Sequence, residues 1–190
     1  MIKIAQKGIL LLSIISIISC GTNKISTENT KVNTAPNSKY KNTIKAYSGT
    51  LSISEYKELI KKLEIELKTA IPENTSILVN FNQKAPNCIA VGLSEGTNHQ
   101  VIINRLRISE RMSSDNNAVD FFVYTKDAYL NEAYQVNPAF TLDSGFFYNE
   151  VFPEHQNCAG FLIIKPNGAF YKYYGEDYFT EVKKFLEKIE

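Results

Sequence analysis

Three cysteines, Cys20, Cys88 and Cys158, and two histidines, His99 and His155, are the side chains of this 190-residue chain best suited to nucleophilic, redox or metal chemistry. Cys88 and Cys158 with the two histidines would make a Cys₂His₂ zinc set, but no pair shows the close spacing of such sites, so no metal is expected. Asp143, Ser144 and His155 offer hydrolase chemistry by residue type, yet the chain has no G-x-S-x-G elbow to expose the serine. Neither G-x-G-x-x-G nor G-x-x-x-x-G-K occurs, which removes the usual phosphate cradles, and no cofactor is expected. The thiols remain. Cys88 closes the stretch "ILVNFNQKAPNC" (77–88), an apolar run that ends in a proline-containing loop. Cys88 and Cys158 are weak catalytic candidates as a thiol pair.

The first twenty residues, "MIKIAQKGILLLSIISIISC", belong to targeting rather than to the fold. Lys3 and Lys7 form a basic start, and Gly8 to Ile18 an apolar stretch of secretory length, short for a membrane span. Ile17-Ile18-Ser19-Cys20-Gly21 resembles the lipobox of bacterial lipoproteins. The resemblance implies diacylglyceryl transfer to the Cys20 thiol, removal of residues 1–19 as a signal peptide, and acylation (a palmitate-type chain) of the new terminus. Three acyl chains give an effectively permanent anchor, whereas one binds only marginally. Gly21 follows the cysteine and no acid appears before Glu28, which resembles an outer-membrane address in a bacterial envelope, reached through the periplasm, with the leaflet left open. Processing removes two lysines and no acid, leaving 19 basic against 20 acidic residues, net −1. A charge so near zero makes no case for nucleic acid. Two cysteines are then left in an oxidising compartment. A Cys88–Cys158 disulfide would close a loop of about 70 residues, worth about 4 kcal/mol by chain entropy. Two reduced, buried thiols are the alternative.

The elements that would position these residues follow from pattern. Hydrophobic residues make up 44% of the chain and charged residues 22%, a globular composition for one domain with extensions. Residues 20–50 are rich in Asn, Thr, Ser and Lys and read as the lipidated cysteine and a flexible tether. A folded domain is expected over 51–190. Ser52-Ile53-Ser54-Glu55 has capping-box spacing, and Tyr56, Ile60, Leu63 and Leu67 recur helically until Pro72. "SILVNF" (76–81) reads as a strand, while "CIAVGL" (88–93) suits a strand or a distorted helix start. A helix capped by Thr97-Asn98 is expected from His99 to about Ser113, followed by a central strand "AVDFFVYT" (118–125) and a short helix over 128–134. Residues 137–158 read as loop. "GFLIIKPNGAFYKYYG" (160–175) is a hairpin about Lys165-Pro166-Asn167-Gly168, and a helix starting at Glu176 and Asp177 ends the chain. The order implies an α/β sandwich whose mixed sheet is parallel in part, with an antiparallel hairpin.

That order, the strand "ILVNF" leading to Cys88, and "GFLIIKPNGAF" together resemble the thioredoxin-like superfamily over roughly 51–190. The resemblance implies a three-layer sandwich with a C-terminal β-hairpin and then a helix. The redox function does not carry over cleanly. With Cys88 in the second place of a C-x-x-C, Ala85 occupies the attacking position, and a peroxiredoxin threonine would also fall on Ala85. The cis-proline expected before the hairpin falls near Ala159 or Gly160, and Pro153 is too early. In such a fold the loops carrying Cys88 and Cys158 lie side by side, so the resemblance makes a disulfide plausible, structural or reversible.

Three functions follow as expectations. One is a membrane-anchored lipoprotein whose domain binds or builds rather than catalyses. Another is a thiol–disulfide oxidoreductase or peroxiredoxin-like enzyme using Cys88 and Cys158. The third is an immunity or accessory lipoprotein with a protein partner, for which Phe146, Phe147, Tyr148, Phe152, Tyr171, Tyr173 and Tyr174 are candidate surface aromatics.

Overall fold

A computed structural model describes residues 31–188, so Cys20 and the signal segment lie outside the described residues. The centre is the strand β2 (Ser76–Asn82), seven residues all buried, as expected for a run with both faces covered. It pairs in parallel with β3 (Ala118–Tyr124) and antiparallel with β5 (Ala159–Ile164). Helix α3 (Glu95–Asp115) makes the crossover between β2 and β3 that parallel pairing requires. Strand β6 (Ala169–Tyr174) returns from β5 through the hairpin, where Gly168 has φ +87° and an added Cβ would meet the Leu51 carbonyl oxygen at 2.7 Å.

Two further strands complete a six-stranded mixed sheet. They are β1 (Lys45–Thr50), antiparallel to β6, and β4 (Phe140–Leu142), parallel to β3; the order is β1-β6-β5-β2-β3-β4. Helix α2 (Ile53–Leu67) packs on one face through Leu63 and Leu67, joined by a π-helical turn, Phe147–Val151. Helices α3 and α5 (Phe179–Leu186) cover the other through Met112, Val182 and Leu186. Short helices α1 (Ser38–Lys41) and α4 (Asn131–Gln135) sit on the connections. The result is α/β with helices on both sides of the sheet, compatible with a three-layer sandwich.

Several local expectations shift. The fold reaches upstream of residue 51: β1 uses residues 45–50, and Tyr40 is buried, its hydroxyl accepting from the Glu176 N–H at 2.7 Å. An edge strand is held by its ladder of main-chain hydrogen bonds, and the six residues of β1 are all exposed. Apolar content therefore gave no sign of it. The capping box forms, with Ser52 Oγ accepting from Glu55 N–H and the Glu55 carboxylate from Ser52 N–H. Helix α2 stops at Leu67, before Pro72, on a left-handed Lys68 at φ 54°. Ser94, rather than Thr97-Asn98, caps α3. Residues 88–93 form no strand; a 3₁₀ turn occupies Ala90–Gly92. The expected 137–158 loop contains β4 and the π-turn, the latter held by the Asp143 carboxylate on the N–H groups of Phe147 and Tyr148 at 3.0 and 2.9 Å.

Candidate functional site

Cys88 and Cys158 stand at disulfide-bonding distance, their Cα atoms 5.2 Å apart. Their exposures are 3% and 7%. Each cysteine follows an asparagine, and the two Asn-Cys segments run side by side. The Cys158 N–H donates to the Asn87 carbonyl at 3.0 Å, and the Asn87 N–H to the Gln156 carbonyl at 3.1 Å. Residues 31–43 close over this pairing. The Cys88 N–H donates to the Asn33 carbonyl at 3.0 Å, Asn33 Nδ2 donates to Asn87 Oδ1 at 2.9 Å, and Asn157 Nδ2 donates to the Thr43 carbonyl at 2.7 Å. Asn87 and Asn157 are thus buried with their amides engaged, as buried polar groups must be.

Around the sulfurs lies a second group that sequence reasoning missed. On β2, Asn80 and Asn82 alternate with Val79 and Phe81, so the two amides point with Leu78 toward α3 and α5. Arg105 of α3 donates from Nη1 to Asn82 Oδ1 at 3.1 Å and from Nη2 to the Tyr178 hydroxyl at 2.9 Å, its guanidinium also 5.3 Å from the Tyr178 ring centre. The Tyr178 hydroxyl donates on to Asn80 Oδ1 at 2.8 Å, and Asn80 Nδ2 donates to Ser109 Oγ at 3.0 Å. Burial works against the charge on Arg105, yet the phenols of Tyr178 and Tyr134 and the carboxylate of Glu176 hold its pKa above the ordinary value. Tyr134 is pushed up to about 12, chiefly by burial. The signal for this network was the pair of asparagines two residues apart in the run from Ile77 to Asn82, whose other residues are apolar.

Glu176, expected only to open the last helix, instead turns its carboxylate to the N–H groups of Ile89 (a short contact) and Ala90 (3.0 Å). Burial raises its pKa against the opposing pull of those N–H groups and of Arg105. Its carboxylate oxygen and the two cysteine sulfurs lie within 4.8 Å of one another. A cavity of about 10 Å³, one water in size, sits among Gln83, Cys88, Arg105, Tyr134, Cys158 and Glu176. Gln83 is 2% exposed; its Nε2 donates to the Asn157 carbonyl at 2.9 Å, while its Oε1 has no partner among the described residues. Next to this site, an open groove of about 800 Å³ runs between the start of α3 and residues 129–133, lined by His99, Ile102, Tyr129, Leu130 and Glu132.

The remaining candidates disperse. His155 stacks on Tyr148, ring centres 3.7 Å apart, while Ser144 donates to Glu66 and Asp143 is occupied at the π-turn, so these residues assemble no triad. Neither histidine joins the sulfurs. The aromatics divide between the two faces of the sheet, with Phe147, Phe152 and Tyr174 buried against α2 and Tyr173 against α5, and form no common surface. No helix among the described residues is long and apolar enough to cross a membrane. No protein-family model matches the chain, and neither a curated protein nor a solved structure does.

Proposed function

We propose that this chain is an envelope lipoprotein, anchored through Cys20, whose thioredoxin-like domain binds a partner and performs no dithiol catalysis. The fold reading draws support from the strand order β3-β2-β5-β6 with a helical crossover, then a hairpin and a final helix, all in the sequence order expected. The observation that carries the non-catalytic reading is the burial of both cysteines, at 3% and 7% exposure. Exchange needs an external thiolate to reach one sulfur in line with the other, and here the 31–43 segment and the paired asparagines stand in the way. Ala85 in the attacking position agrees with this. The groove beside α3 is the concave surface offered to a partner.

A second reading, a reversible redox pair, is favoured by one observation: the Glu176 carboxylate beside the disulfide is placed to exchange a proton with a thiol. Turnover of a small disulfide substrate by the purified chain separates the two. The binding reading expects none above the rate of free cysteine, and sustained turnover lost in Cys88→Ser refutes it. For the anchor, Cys20→Ala is expected to abolish acyl labelling and release the chain from the membrane fraction; unchanged partitioning refutes lipidation.

A further inference from the structure

We propose that, when its disulfide is reduced, the chain binds one d¹⁰ divalent cation of the zinc class through Cys88 Sγ, Cys158 Sγ and a Glu176 carboxylate oxygen. This goes beyond the binding reading and does not depend on it. A Glu176 carboxylate oxygen lies within 4.8 Å of both sulfurs, near the roughly 3.7 Å between tetrahedral ligands at about 2.0–2.3 Å from one metal, and the sulfurs, bonded to each other while oxidised, part to that spacing on reduction. Two thiolates and one carboxylate suit zinc and its softer relatives better than magnesium or calcium, which take all-oxygen sets.

Charge supports the same assignment. Two thiolates and a carboxylate carry three negative charges; a divalent cation supplies two positive, and Arg105, lining the same cavity, supplies the third. Glu176 is oriented by the Ile89 and Ala90 N–H groups, the kind of outer contact that fixes a ligating carboxylate. The fourth position falls to water. The one-water cavity is lined by both cysteines and by Gln83, whose buried Oε1 has no partner among the described residues and could accept that water's proton. Glu176 keeps part of its side chain at the surface, which leaves a route in.

Reduction by a water-soluble phosphine breaks the S–S bond. Phosphorus takes the oxygen of one water, and its two protons go to the sulfurs. Metal binding then releases both thiol protons to solvent.

The test uses the full chain with Cys20→Ser, which removes the only other thiol. The protein is reduced with phosphine until two thiols per chain are counted, desalted without air and titrated with cadmium, reading the ultraviolet thiolate-to-cadmium charge-transfer band. The expected result is a band saturating at one equivalent, displaced by zinc, absent in the unreduced chain, and at least about tenfold weaker in affinity in Glu176→Gln. No band, saturation beyond one equivalent, or equal affinity in Glu176→Gln overturns the proposal; equal affinity would mean thiols binding without the folded site. Should Glu176→Gln not fold, thermal unfolding of the reduced parent chain decides: zinc is expected to raise its Tm, and an unchanged Tm overturns the site.

Discussion

The two faces of the central sheet are built on different principles. Under α2 the interior is dry: Ile77, Val79 and Phe81 of β2 meet Leu63, Phe147 and Phe152, with Phe81 and Phe152 stacked at 4.5 Å. Under α3 and α5 the same strand presents Leu78, then Asn80 and Asn82, and the layer admits Arg105, Tyr178 and Ser109 among its apolar residues. The polar part lies at the carboxyl ends of β2 and β3, beside the disulfide, where open α/β sheets place their ligands. A fully connected buried network specifies one arrangement of its members, and a partly satisfied one is costly. The dry face therefore holds the fold together, while the wet face sets Arg105 beside the cavity that Cys88, Cys158 and Glu176 line.

The comparison can be broken at four places. Phe81→Ala on the dry face is expected to cost about 3–5 kcal/mol, read as a fall in the denaturant midpoint, with thiol counts in the folded state unchanged. Replacing both Cys88 and Cys158 by alanine should cost about 4 kcal/mol through the 70-residue separation they span. That loss should come with greater protease sensitivity of residues 31–43, since those residues are tied to the cysteine segments. Arg105→Met leaves the Tyr178 hydroxyl oxygen without its donor, and Asn82 Oδ1 with only the Tyr134 hydroxyl at 3.4 Å, and should cost about 1–3 kcal/mol. Comparable destabilisation by Arg105→Met and Phe81→Ala would erase the distinction between the faces.

The smallest effect concerns pH. Burial raises the pKa of Glu176 above 4.5 in the fold, so the native state holds this proton more tightly than the unfolded chain. The resulting stabilisation is complete below the unfolded value and is lost as pH rises through the folded value. Denaturation of the parent and Glu176→Gln across that window should show the parent losing stability relative to the variant as pH rises; a difference constant with pH would contradict the burial of this carboxylate.

Much of the dry face was legible. Periodicity marks α2 and the hairpin, and the capping box at Ser52 forms as its spacing requires. Fold class followed because helices between strands leave few sheet topologies. Strand β1 was not legible, because its residues are exposed and its attachment is main-chain pairing to β6, which leaves no hydrophobic trace in "KAYSGT". The wet face was legible only in part. Cys88 and Cys158 come together as the expected loop placement implied. Glu176 and Arg105, 71 residues apart and on separate elements, meet there through the sheet order alone. Charged residues at a turn and on a mid-helix face carry no local sign that they will be partly enclosed. Asn80 and Asn82, set among Ile77, Leu78, Val79 and Phe81, were the available hint.

The reduction potential of the Cys88–Cys158 pair, measured by equilibrating the folded chain with thiol–disulfide buffers and counting thiols, tests the central claim most directly. A buried staple predicts a potential below about −300 mV. A potential at or above the roughly −270 mV of thioredoxins, reached reversibly in the folded chain, would contradict it and make the pair a redox centre.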